Sequence, residues 1–326
     1  MSKLLFEKFL TNIRENKLIS PTDRVLAAVS CGPDSVCMLN LLCTLRKKLG
    51  FDLGIAYVNH NLRPSEVKNE LKFITKTGTD LRLPVYIRSV KIRRTGAGIE
   101  AQARKLRYNS LSEIAAANNY NIIATGHTLD DLAETVLLNI ARSTCEEGVG
   151  SIPVKRALDG AGITVVRPLL STGKQEILDY LKNRRIKYCH DSSNLDTNFS
   201  RNLIRHRVLP ELRKLNPKIR EHLASLSRWS EEKESCFESL AQTALKNSCR
   251  CNYNYMQYTI DLKKFFKYNS YLRWKLIKNI FSGFGVRDCS KLIDETLRFI
   301  TSAKNILPLK NILLKKKGSL LVIKKR

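Results

Sequence analysis

The chain has 326 residues, 43% of them hydrophobic, and 57 Lys and Arg against 30 Asp and Glu give a formal net charge of +27. That length allows two domains with separate cores, and that apolar share excludes a disordered chain. The cationic surplus points to a polyanion, most often nucleic acid and sometimes an anionic membrane surface, with the lysine bias of an AT-rich genome as a contributing cause.

At the N-terminus, Leu5, Phe6, Phe9, Leu10 and Ile13 fall on one helical face, and Glu7 and Lys8 interrupt the apolar stretch before it reaches secretory length. With no run of membrane-spanning length, the expectation is a soluble chain that stays inside the cell. Strand-like runs follow at 24–29, 53–59, 85–90 and 121–125. Helical spacing fills 36–49, 66–81, 99–118 and 129–142. This alternation predicts an α/β fold, a doubly wound parallel sheet covered by helices, with ligands at the carboxyl ends of the strands. From about residue 200 the pattern turns basic and mostly helical, through Leu245 and again over 273–280 and 290–300. The tail NILLKKKGSLLVIKKR reads as a β-hairpin. The expected division is 1–214 and 215–326, the second domain smaller and basic.

Nine scattered cysteines without a CxxC argue against a disulfide framework. The one CxC, Cys249 and Cys251, lacks the second ligand pair a zinc or iron–sulfur site needs.

The chemistry gathers at the strand ends. After the first strand comes Ser30-Cys31-Gly32-Pro33-Asp34-Ser35, a turn of small residues opening a helix, where free N–H groups and two hydroxyls suit a phosphate. It is not a Walker loop, because no GK[ST] follows and no lysine in the turn reaches the terminal phosphates. The stretch VNHNLR carries Asn59, His60, Asn61 and Arg63. In GIEAQARKLRY, Glu100, Arg104 and Tyr108 share one helical face with Arg107 beside them. In GHTLDDLAET, His127 ends a strand, Thr128 and Asp131 fit a capping box, and Asp130, Asp131 and Glu134 crowd three acids into one turn. The helix dipole alone would favour such acids, yet at a ligand edge of a +27 chain they suit Mg²⁺ or an amine. RPLL follows at 167–170, then DSSNLDTNFSRNLIRHRVLP, where a loop with Asp191, Asn194 and Asp196 precedes a basic helix carrying Arg201 and Arg205.

The 30–35 turn resembles the SGGxDS signature of the PP-loop ATP pyrophosphatases, with Cys31 in place of the first glycine. If that glycine needs a positive φ, a Cβ there costs on the order of 1 kcal/mol. If it serves close phosphate approach, the thiol can turn away. The second reading is favoured, since Gly32 remains to give the backbone its freedom. Taken in order, all these pieces are similar to the tRNA(Ile)-lysidine synthetases over roughly residues 20–215.

The resemblance implies an ATP-dependent ligase that joins free L-lysine to C2 of the wobble cytidine of a CAU-anticodon tRNA(Ile), through an adenylated base, releasing pyrophosphate and AMP. It implies ATP binding by Ser30, Cys31, Gly32, Pro33, Asp34 and Ser35. Asp34 and Asp131 become candidates for Mg²⁺, Asp131 equally for base work, and Asp130 and Glu134 for the lysine amine, with the roles of the acids exchangeable. Asp34, Arg104, Asp131 and Glu134 form the catalytic set, with Arg104 and less directly Arg107 on the α-phosphate. His127, Arg107, Arg201 and Arg205 remain as substrate contacts. The basic C-terminal domain would bind tRNA phosphates, without a membrane, and a homodimer is the candidate assembly. The expected compartment is the bacterial cytoplasm, or a plastid stroma if the chain is organelle-encoded. Two rivals differ in observable ways. A tRNA 2-thiolation enzyme would need a cysteine pair that Cys249 and Cys251 poorly supply. A non-catalytic RNA-binding protein would not keep Asp34, Ser35, Asp130, Asp131 and Glu134 together.

Overall fold

A computed structural model of the chain describes residues 2–59, 64–91, 99–142, 152–158, 162–189, 200–252, 256–286, 290–309 and 311–325. Two compact units are distinguished, Met1–Arg228 and Trp229–Arg326. The division falls within the helix Ile219–Ser248, whereas the sequence pattern changes near residue 214.

The first unit runs α1 (Ser2–Glu15), β1 (Arg24–Ala28), α2 (Pro33–Leu49), β2 (Asp52–Asn59), α3 (Pro64–Leu81), β3 (Val85–Ser89), α4 (Ile99–Ala117), β4 (Ile122–Thr125) and α5 (Leu129–Arg142). It continues through β5 (Lys155–Ala157), β6 (Thr164–Val166), α6 (Lys174–Asn183), α7 (Ser200–Leu203), a π-helical turn Ile204–Val208, α8 (Leu209–Leu215) and the start of α9 (Ile219–Ser248). The strands form one sheet in the order β3-β2-β1-β4-β6-β5, parallel except for β5. This is the doubly wound α/β sheet that the alternation predicts. Strands β5 and β6 were not anticipated. Each has three residues, and β5 is exposed along its whole length, so no apolar alternation marks it.

Side chains alternate across the sheet with the period of two that a strand imposes. Val25 and Ala27 of β1 enter a core with Phe9 of α1 and Leu42 of α2, while Leu26 faces Leu111 and Ile114 of α4. Helices thus cover both faces. The order reverses between β1 and β4, with β2 and β3 to one side and β6 to the other. In such a sheet a crevice opens beyond the carboxyl ends of the two strands at the reversal. Those ends lie side by side, with Ala28 paired to Thr125. The phosphate-like turn follows the first strand and the acid cluster follows the second.

The second unit holds the rest of α9, β7 (Cys249–Asn252), β8 (Gln257–Asp261), α10 (Leu262–Phe265), α11 (Ser270–Gly283), α12 (Ser290–Thr301), β9 (Ile306–Pro308), β10 (Ile312–Lys317) and β11 (Leu320–Lys325). Its antiparallel sheet has the order β7-β8-β11-β10-β9. The expected hairpin is β10–β11, turned at Gly318 with φ 57°. Ile277, Ile280 and Phe281 of α11 pack on Leu314, Leu321 and Ile323 of the sheet. No helix among the described residues is long and apolar enough to cross a membrane.

Candidate functional site

Ser30 to Ser35 carry the chain from β1 into α2. Pro33 occupies the first helical turn, where its missing N–H costs nothing. Ser35 Oγ donates to the Gly32 carbonyl at 2.9 Å and accepts from the Ser30 N–H at 3.1 Å, so the turn is closed by its own hydroxyl. One expectation is corrected here. Gly32 is extended, with φ −72° and ψ 165°, and the left-handed residue is Cys31, with φ 63°. A side chain in that conformation costs about 1 kcal/mol. The thiol does turn away, into the core, where Sγ lies 3.7 Å from the Glu70 carbonyl, and the Cys31 carbonyl accepts from the Cys189 N–H at 2.8 Å. Burial raises the Cys31 thiol far above its ordinary range, which leaves it a packing group and not a nucleophile.

Gly126, just past β4, explains how the second turn reaches the first. A Cβ on it would stand 3.1 Å from the Cα and N of Ser35 and 3.2 Å from the Asp34 carbonyl carbon. Only a residue without a side chain lets the two backbones approach so closely. Asp130, Asp131 and Glu134 are thereby carried beside the phosphate-like turn. The Thr128–Asp131 cap is present, with Asp131 Oδ2 accepting from both the N–H and the hydroxyl of Thr128 at 2.9 Å.

Four arginines from beyond residue 200 neutralise these acids. Glu134 is fully buried. Arg201 Nε donates to its Oε2 at 2.9 Å and Arg205 Nε to its Oε1 at 2.6 Å. Arg201 also donates to Asp131 Oδ1 at 3.2 Å. Asp130 accepts from Arg213 at 2.6 Å, from Arg220 at 3.0 Å and from the N–H of Lys174 at 2.7 Å. Burial would raise the Asp131 carboxyl, but Arg201 and the two Thr128 hydrogen bonds outweigh it and hold the group below the usual carboxylate range. Asp34 behaves oppositely. Burial pushes its carboxyl up despite Lys174, whose Nζ lies 2.6 Å from both of its oxygens.

On the other flank, Arg104, Arg107 and Arg156 place their guanidinium carbons 5.1, 5.6 and 5.4 Å from the centre of the Tyr108 ring. The buried Arg167 donates to the Tyr108 hydroxyl at 3.3 Å, and among the described residues its Nε has no hydrogen-bond partner. Among the described residues no carboxylate pairs with any of these four arginines, so the cage suits an anion. Burial would raise the Tyr108 phenol, yet the guanidiniums prevail and lower it. His127, in hydrogen-bond contact with Thr125 Oγ1 at 2.9 Å, is brought down to about 3 by burial, so it is neutral at any ordinary pH.

The structure therefore gathers Ser30–Ser35, Asp34, Arg107, His127, Asp130, Asp131, Glu134, Arg201 and Arg205 at one sheet edge, with Arg104 exposed on its rim. Sequence reasoning did not assign Lys174, Arg213, Arg220, Arg156 or Arg167. Their signal was faint, although Arg167 opens the RPLL stretch. His60, Asn61 and Arg63, the side chain of Glu100, and the loop with Asp191, Asn194 and Asp196 lie outside the described residues. For Mg²⁺, Asp34 is a hard oxygen donor that already grips a cation through both oxygens. It fits an ion that takes its remaining ligands from phosphate and water. Asp131 would serve only after releasing Arg201. No group of three or more potential ligands converges among the described residues.

A PP-loop domain family model matches residues 3–212. The tRNA(Ile)-lysidine synthase of Petrotoga mobilis is 32% identical, across 70% of this chain and 73% of its own length. That of Thermosipho africanus is 37% identical, across 65% and 49%, and that of Caldanaerobacter subterraneus is 28% identical, across 99% and 70%. This chain spans about half the length of several curated relatives it matches. Among solved structures, the U34-tRNA thiolase NcsA of Methanococcus maripaludis shares the fold, with a TM-score of 0.57 at 17% identity over 71% of this chain and 78% of its own.

Proposed function

The chain belongs to the tRNA(Ile)-lysidine synthase family of PP-loop proteins, and on that premise we propose that it joins free L-lysine to C2 of the wobble cytidine of a CAU-anticodon tRNA(Ile), using ATP. The observation that supports the reading is the close approach of Gly126 to Ser35, which brings a phosphate-suited turn beside the helix that carries three acids.

In this reading the C2 oxygen attacks the α-phosphorus, the bond from that phosphorus to the bridging oxygen breaks, and pyrophosphate leaves with the electron pair. The lysine ε-ammonium gives one proton to solvent, the free amine attacks C2, and the C2–O bond breaks with its electron pair leaving on AMP. The N–H groups and hydroxyls of the 30–35 turn hold the polyphosphate where its charge develops. Arg104 and Arg107 offset charge on the α-phosphate. Mg²⁺, held by Asp34, would add further neutralisation of the leaving group. His127, being neutral, acts as a hydrogen-bonding partner to a base rather than as an acid. Asp130, Asp131 and Glu134 become ligands for an ammonium as it displaces the arginines that neutralise them. Held below its usual range, Asp131 suits ammonium or metal binding better than proton removal. For Glu134 to receive the amine, Arg201 or Arg205 must release one of its oxygens. Both sit on α7 and the π-helical turn, a distortion found often at functional sites. The cationic surplus, including the second unit, binds tRNA phosphates, so affinity falls with salt.

The test incubates purified protein with ATP, Mg²⁺, labelled lysine and a CAU-anticodon tRNA(Ile) transcript. Label enters the tRNA only with ATP, and Asp131→Asn abolishes it. No transfer at any salt concentration overturns the proposal.

A further inference from the structure

The phosphate-like turn contains no lysine, yet a lysine reaches it. Lys174 opens α6, and its Nζ lies 2.6 Å from both oxygens of Asp34, in the first turn of α2. Its placement is tightly defined. The Lys174 N–H donates to Asp130 at 2.7 Å, and the Gly173 N–H to Glu176 Oε2 at 2.8 Å. A Cβ on Gly173 would come within 3.0 Å of Arg220 Nη1. Backbone contacts thus fix where the side chain starts, and the side chain itself remains 40% exposed.

We propose that Lys174 is the phosphate-contacting lysine of this site: its ammonium rests on Asp34 in the empty protein and moves to the β- and γ-phosphates of bound ATP. The inference rests on the function proposed above and adds a residue to it. A polyphosphate entering the 30–35 turn brings several negative charges to within reach of a flexible ammonium already at the helix start. The Asp34 side chain is itself 28% exposed, so another cation can reach it as Lys174 leaves. When the α-phosphorus–oxygen bond breaks, the electron pair stays on pyrophosphate, and the Lys174 ammonium donates hydrogen bonds to it without giving up a proton. Lys174 does by reach from α6 what a loop lysine does within a Walker turn.

Calorimetric titration of the full chain with ATP, pyrophosphate and AMP tests this, comparing wild type with Lys174→Met and Lys174→Arg. Methionine keeps the aliphatic stem and the Lys174 N–H contact to Asp130. Expected is a loss of roughly 10- to 100-fold in affinity for ATP and pyrophosphate, as for a charged hydrogen bond. AMP affinity stays within about two-fold, and Lys174→Arg recovers most of the loss. ATP and pyrophosphate binding unchanged in Lys174→Met overturns the inference, and so does an equal loss for AMP, which would mean a merely structural role. Wild type that binds no ATP would instead overturn the proposed function, and this inference with it.

Discussion

The turns after β1 and β4 begin alike, each a strand end opening a helix, but they are held together differently. The first is closed locally, by Ser35 bonding to Ser30 and Gly32 a few residues away. The second carries three acids whose charge is matched from a distance, by arginines 67 to 90 residues further along the chain. A turn closed by its neighbours is set once the strand and helix form. An acid cluster matched by remote cations exists only when α7, the π-helical turn, α8 and the start of α9 have docked. Under the proposed function that docking is a control point, because a lysine ammonium would compete with the arginines for the same carboxylates.

The contrast breaks first at Glu134. Glu134→Ala leaves Arg201 and Arg205 without their buried partner and lowers stability by about 3 kcal/mol, since both arginines retain some access to water. Urea denaturation measures it. A loss under about 1 kcal/mol would mean that the remote arginines do not organise the second turn.

The first turn is sharpened by two substitutions at Cys31. Cys31→Val puts a β-branched side chain at φ 63° and costs about 2 kcal/mol. Cys31→Gly removes strain but loses buried contacts, so stability stays within about 1 kcal/mol of wild type and ATP binding is kept. Equal destabilisation by valine and glycine would show that the thiol, and not the backbone, governs the turn.

The smallest effect is in pH. An unfolded histidine titrates near 6.5, whereas burial holds His127 at about 3. Between those values the unfolded chain binds the extra proton, so stability rises with pH there and is lost on acidification. Asp131, held below its usual range, adds a contribution present above about pH 4 that disappears as pH falls further. His127→Asn therefore flattens the stability profile between about pH 4 and pH 6. An unchanged slope would place the titrating group elsewhere.

The same contrast explains what could be read from the residues. The 30–35 turn and the Thr128–Asp131 cap are local, and both were legible, because spacing along one turn determines which groups meet. Asp130, Asp131 and Glu134 were recognisable as a cluster for the same reason. Their partners were not, since nothing in Arg213 or Arg220 distinguishes an arginine aimed at Asp130 from one on a solvated helix face. Lys174 was hidden by its separation of 140 residues from Asp34. Cys31 departs from the expectation in backbone geometry alone. Its neighbour is a glycine, and the composition of the turn does not reveal which of the two takes the left-handed conformation.

Under the proposed function, departing diphosphate and incoming amine meet at one sheet edge, beyond the adjacent ends of β1 and β4. A crystal structure with a non-hydrolysable ATP analogue and free lysine tests it most directly. Expected are the β- and γ-phosphates against the 30–35 turn and the lysine ε-ammonium among Asp130, Asp131 and Glu134. Nucleotide or lysine bound away from that edge would contradict it.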